Sequence, residues 1–261
     1  MTEARYPGGE GRRYSQSTVE QYLRCGLAHL YSTTTQHRRL TTRMAIGSAV
    51  AWGAQADART KKATGGGALP PVDLIEISVA KYDEEIDGAE VPESKTSIIA
   101  ARDDTAKAAR TFALKVSPFI KGVVDAETGL VAKLGGLELA GRPDYITVEG
   151  IGDLKTGQPW TTTRANSSRQ LTAYGILHRA HYGAYPQRVW IDSVSRGRIG
   201  WTAERLWSHR TEEDYRAYWH ILLAVDAGIQ AGIALPAPEG AWWCSPVYCA
   251  HWNFCEAVNS R

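Results

Sequence analysis

The chain has 261 residues, 30 Lys plus Arg against 28 Asp plus Glu for a net +2, and 43% hydrophobic residues. This composition fits a globular chain long enough to bury a sizeable core, and it excludes a mainly disordered protein or one that coats nucleic acid through bulk charge. No run approaches the roughly 18 apolar residues of a membrane span, and the first residues lack the apolar stretch of a secretory leader, so a cytoplasmic location is expected.

Residues 1–13, rich in Gly and Arg, read as a flexible lead, and 14–261 as a single α/β domain: a helical part at 14–127, a sheet core at 128–207, and a helix with a cysteine-rich tail at 208–261. Ser17, with Glu20 in capping-box spacing, opens a helix through SQSTVEQYLRCGLAHLYSTTT, where Leu23, Leu27 and Leu30 recur at helical intervals around Cys25. A second helix covers about 44–62 and begins IGSAVAWG, small residues that permit close packing. TGGGALPP at 64–71 is a loop, and the Ala-rich segment near 98–118 is another helix. Between these two no element is assigned. Residues 128–148 then read as two extended segments around Gly135-Gly136, the second running through LELAGRPDYITVE. A short strand at 151–154, a helix at 163–183, a hairpin turning at Ser195-Arg196-Gly197 and a helix at 211–232 complete the order.

Charge is uneven along this order. Residues 1–62 hold ten basic and four acidic side chains, net +6, whereas 63–127 hold seven and twelve, net −5. Arg38, Arg39, Arg43, Lys61 and Lys62 could meet phosphate, although a solvated helical face explains them at least as well.

The most informative stretch is GRPDYITVEGIGDLKTG. Asp144 closes one apolar strand and Asp153 lies on the next, with Lys155 two residues further and so on the same strand face. Two carboxylates and an ammonium then converge at one sheet edge. Carboxylate oxygens suit Mg²⁺ or Mn²⁺, and a lysine beside such an ion can orient water or stabilise phosphate charge.

Gly-Arg-Pro-Asp144, Asp153-Leu-Lys155 and Gln170-x-x-x-Tyr174, in this order and spacing, resemble the PD-(D/E)XK nuclease superfamily, specifically its RecB/Cas4-like exonuclease branch, common in bacteriophages. The resemblance implies a restriction-endonuclease-like core, a mixed central β-sheet flanked by helices. It further implies that Asp144, Asp153 and the Leu154 carbonyl hold the metal, that Lys155 activates water, and that Gln170 and Tyr174 position Lys155 or the DNA backbone. Ser17, Tyr22, Cys25 and Tyr31 match a family pattern on the N-terminal helix, and Gly47 to Ala51 matches a segment usually read Gly-x-x-x-His. Ala51 stands where that histidine often binds metal, and Gln55, one turn on, could approach the same ion. Glu127 matches an acidic residue often found before the core strands.

Of four cysteines, Cys244, Cys249 and Cys255 fall in the tail WWCSPVYCAHWNFC, and Cys25 lies far upstream. Four thiolates suit a [4Fe–4S] cluster or tetrahedral zinc, and spacing does not choose between them. His251 could replace one zinc ligand, but reads more simply as a surface or packing histidine. In the iron–sulfur members of the resembled family, one N-terminal and three C-terminal cysteines staple the chain ends, and this chain shares that layout. Trp242, Trp243, Tyr248, Trp252 and Phe254 read mainly as a shell around such a cluster, with base stacking as the other use.

The expectation is thus a Mg²⁺/Mn²⁺-dependent deoxyribonuclease acting on single-stranded DNA or duplex ends in phage or bacterial recombination, replication or repair. A free-standing phage enzyme fits better than one working within a CRISPR system. The alternative is a catalytically inactive, iron–sulfur or zinc-bearing DNA-binding helper subunit, for which Ala51 is the best support.

Overall fold

The computed structural model describes residues 12–35, 40–89, 91–126 and 128–259. Residues 1–11 of the lead, Arg38, Arg39 and Glu127 lie outside them. The chain divides into two compact units, one of residues 1–39, 131–140 and 212–261, the other of 40–130 and 141–211.

In the first unit, β1 (Arg12–Ser15) pairs in parallel with β4 (Leu137–Gly141), which neighbours β3 (Leu130–Leu134). Ser15, not Ser17, caps the first helix, α1 (Gln16–Arg24), accepting from the Thr18 amide at 3.2 Å. The single helix expected here is two. Cys25 takes extended backbone, ends α1, and caps α2 (Gly26–Thr34), its Sγ accepting from the Ala28 amide at 3.4 Å. A Cβ at Gly26 would sit 2.8 Å from the Leu235 backbone, so this residue lets the 234–235 segment pass close by. Helix α8 (Glu212–Gln230) presents Asp226, which accepts from Arg12 and Tyr14 at 2.7 Å each.

The second unit carries three packed helices and a five-stranded sheet. Thr41 caps α3 (Thr42–Thr64), which ends at left-handed Gly65. The small residues of this helix do permit close approach: a Cβ on Gly53 would lie 2.2 Å from Ser78 Oγ of α4 (Pro71–Asp87). Sequence reading assigned nothing to α4, which begins with Pro at its first position, where a missing N–H costs nothing. Helix α5 (Lys95–Lys115) completes the layer.

The sheet order is β2 (Val123–Asp125), β5 (Tyr145–Thr147), β6 (Gly150–Gly157), β7 (Arg188–Gly197), β8 (Gly200–Ser208). Strands β5 and β6 are antiparallel, β6 and β7 parallel, β7 and β8 antiparallel, so the sheet is mixed. The parallel pair requires a crossover, supplied by α6 (Thr162–Asn166) and α7 (Arg169–Tyr182).

Three further boundaries differ from expectation, each for a local reason. The extended run 137–149 breaks into β4 and β5 at Arg142-Pro143, because proline cannot donate to a ladder and restricts the residue before it. The helix at 163–183 breaks at Ser167-Ser168; Ser168 caps α7, and Arg210 donates to the Ala165 and Ser168 carbonyls at 2.9 Å each. The hairpin strands continue through Arg196, which pairs with Trp201, so the turn is at 198–199.

Gly152 explains how the sheet packs beneath β6. A Cβ there would lie 2.1 Å from the Tyr145 ring and 2.6 Å from the Trp190 indole, both fully buried. These rings surround Asp192, which accepts from Tyr145 and Trp190 and pairs with Arg205 at 2.8 Å.

Candidate active site

The register of β5 and β6 places the two predicted carboxylates. Tyr145 faces Gly152 in the last ladder pair, so Asp144 and Asp153 occupy the next facing positions, where β5 has ended. There the backbone of β6 lacks its strand partner, and Asp144 supplies one, its Oδ2 accepting from the Leu154 amide at 2.6 Å. In an extended strand a residue's N–H and C=O point to the same side, so the Leu154 carbonyl faces this edge too. Gln55 of α3 reaches Asp144 Oδ1 at 3.5 Å through its amide nitrogen, a long contact. Ala51 lies one helical turn before it.

Strand alternation brings Lys155 to the face of Asp153, with Nζ 2.7 Å from Oδ2. Asp153 is 2% exposed, and despite that ion contact its Oδ2 has no partner in hydrogen-bond geometry among the described residues. A buried carboxylate oxygen with spare acceptor capacity suits a cation.

Electrostatics point the same way. Burial, and then the charge of Asp153, push the Asp144 carboxyl from 3.8 up to about 7, against the Leu154 amide and Lys155. Burial opposes the charge on Lys155, but the two carboxylates outweigh it and hold the ammonium above its ordinary range. A desolvated carboxylate pair with one ammonium is short of positive charge, and a divalent ion would supply it.

The other predicted residues form a support. Gln170 donates to Tyr174 Oη at 2.8 Å, and Tyr174 donates to the Arg142 carbonyl at 3.1 Å. Tyr174 therefore grips the turn that leads into Asp144. Burial, joined by the charges of Asp153 and Asp144, raises its phenol well above the ordinary value, so it stays a donor.

Sequence reasoning missed what lies beside Lys155. A groove of about 550 Å³ opens there, lined by Arg43, Thr156, Trp160 and Arg164 among others. Trp160 precedes Thr161, the cap of α6, so no helical spacing signalled its contact with Arg164.

The four cysteines lie in the first unit, and all are free thiols. Burial raises the Cys249 thiol, and the charges of Cys25, Cys244 and Cys255 add to it. Among the described residues, however, no three His, Cys, Asp or Glu side chains form a ready metal-ligand group. His251 is buried rather than on the surface, its Nε2 3.1 Å from Ser32 Oγ and its ring against Tyr31 and Phe254. The aromatic shell is also more open than expected: Trp242 is 64% and Tyr248 56% exposed. No helix among the described residues is long and apolar enough to cross a membrane.

A family model described as the PD-(D/E)XK nuclease superfamily matches residues 13–256. The crystal structure of a candidate exonuclease from Eubacterium rectale aligns over 95% of this chain and 87% of its own, with TM-score 0.55 at 12% identity, a likeness of fold. The structure of a protein named SSO0001 aligns over 93% of this chain and 96% of its own at 9% identity, with TM-score 0.34, too low to carry an argument. No curated protein matches the sequence.

Proposed function

The chain belongs to the PD-(D/E)XK nuclease superfamily, and from that premise we propose that it is a divalent-metal-dependent deoxyribonuclease of RecB/Cas4-like type, an exonuclease hydrolysing phosphodiester bonds in DNA. The observation that supports this reading most is the meeting of Asp144, Asp153 and Lys155 where β5 ends and Asp144 takes over the Leu154 amide. Asp144, Asp153 and the Leu154 carbonyl would hold Mg²⁺ or Mn²⁺, with the Gln55 amide a further donor near the position where relatives often have histidine. Such an ion, when bound, polarises a phosphoryl oxygen and lowers the pKa of water. Lys155 then orients the attacking water and faces phosphate charge. Tyr174, held by Gln170, keeps the Arg142–Asp144 turn in place. End-labelled linear DNA, single- and double-stranded, should be cut with Mg²⁺ or Mn²⁺ by the wild type and not by Lys155→Ala; a wild type that cuts neither would overturn the proposal.

The same reading extends to Cys25, Cys244, Cys249 and Cys255 as ligands of a [4Fe–4S] cluster, with Zn²⁺ the competing occupant. Its support is that all four are free cysteines of the first unit and that the charges of the other three act on Cys249. Bound there, the cluster would be structural and tie the N-terminal helices to the C-terminal tail. Purified protein should be brown and contain iron and sulfide, lost in Cys249→Ser. Colourless protein with stoichiometric zinc contradicts the cluster. The role proposed is in phage or bacterial DNA recombination, replication or repair, in the cytoplasm.

Ala51 favours a second reading, an inactive DNA-binding helper. DNA binding without metal-dependent cleavage would support it.

A further inference from the structure

The groove beside Lys155 has a composition of its own. Asp104 is the only acidic residue lining it among the described residues, and it is already engaged by Arg196 at 2.6 Å and by the Trp201 indole at 3.4 Å. Arg43 and Arg164 form no ion pair among the described residues and so leave the groove positive, whereas Lys155 is held by Asp153 at 2.7 Å. Thr156 also lines the groove, its Oγ1 buried and without a hydrogen-bond partner among the described residues.

One wall is an aromatic platform. Strand β6 ends at Gly157 with φ +119, a conformation that favours glycine and turns the chain out of the sheet. The Trp160 amide then donates to Ser193 Oγ at 3.3 Å, which fixes the backbone carrying the ring. The Arg164 guanidinium lies 4.0 Å from the centroid of that ring, covering one face. The groove's volume of about 550 Å³ lies within the range of small-ligand sites.

We infer that this groove is a nucleotide subsite that stacks an unpaired base of the bound strand on Trp160, with Arg43 and Arg164 facing its phosphates. The inference deepens the nuclease reading and rests on it. Paired bases are already stacked within a duplex, so the platform serves only a base released from pairing. Lys155 itself lines the groove, which places the subsite beside the reacting phosphate.

Fluorescence anisotropy in EDTA, where cleavage is suppressed, tests this with labelled single strands carrying one abasic site at successive positions. In the wild type one position should weaken binding roughly 5- to 150-fold. Trp160→Ala should weaken the intact strand by a similar factor and abolish the dependence on position, while Trp160→Phe keeps most of it. Arg43→Ala should lower the salt slope by about 0.7. A flat abasic scan in the wild type, or the same scan in wild type and Trp160→Ala, overturns the subsite. A protein that shows the expected scan yet cuts nothing with added metal overturns the nuclease reading and leaves the subsite standing.

Discussion

The carboxylate site and the cysteine-bearing ends of this protein are built in opposite ways. Asp144 and Asp153 are fixed by a β-ladder: they are the facing pair one step beyond Tyr145 and Gly152, and a backbone amide holds Asp144 before any ligand arrives. The cysteines instead sit at helix ends and in turns, Cys25 between α1 and α2, Cys249 among the tail's short turns, and Cys255 just before α9 (Glu256–Asn259). There burial, and then the charges of the other thiols, raise the Cys249 thiol, and among the described residues no ready ligand group exists. A preorganised site loses chemistry and keeps its fold when altered; a site assembled by its ligand loses order.

The sharpest contrast should come from Lys155→Ala. Loss of the residue that orients water should cut the turnover of labelled DNA by roughly 10²- to 10⁴-fold, with little change in the melting temperature. An equal fall in melting temperature would mean that the site is not preformed. Next in size, Cys249→Ser or chelation should open the first unit to proteolysis within 212–261 while the sheet of the second unit stays protected. Simultaneous cleavage of both units would erase the distinction. Tyr174→Phe removes two hydrogen bonds, the one given to the Arg142 carbonyl and the one accepted from Gln170, so it should cost about 2 kcal/mol in denaturant unfolding. It should also weaken metal affinity by roughly 10-fold, as loss of a residue supporting a ligand does.

The last effect expected is that of pH on the metal-free protein. The Asp144 carboxyl is raised from 3.8 to about 7 by burial and Asp153, so the folded state binds an extra proton between these values. Its contribution to stability is therefore present at acidic pH, falls as pH rises through this window, and is gone above about 7. Melting in EDTA should show a decline from pH 5 to 8 that flattens in Asp144→Asn; identical profiles would contradict the assignment.

Much of the second unit was legible because its chemistry follows chain periodicity. Asp153 and Lys155 share a face through strand alternation, and Gln170 and Tyr174 meet across one helical turn. What escaped depended on contacts distant in sequence. Helix α4 carries its buried Leu74 and Ser78 against Gly53, a partner that lies in α3. The break before Asp144 was signalled by Pro143, yet alternating apolar residues on either side concealed it. Cys25 was read as a ligand on a continuous helix, although its extended backbone makes it a hinge between two. The groove at Trp160 was unread because Arg43 and Arg164 converge only in three dimensions.

The central claim is that Asp144 and Asp153 form one preorganised cation site. Calorimetric titration of Mn²⁺ into the wild type, Asp144→Asn, Asp153→Asn and Lys155→Ala tests it most directly. The account predicts binding by the wild type and Lys155→Ala, and affinity lowered at least about 10-fold in both Asn variants without loss of fold. Mn²⁺ bound by either Asn variant as tightly as by the wild type would contradict it.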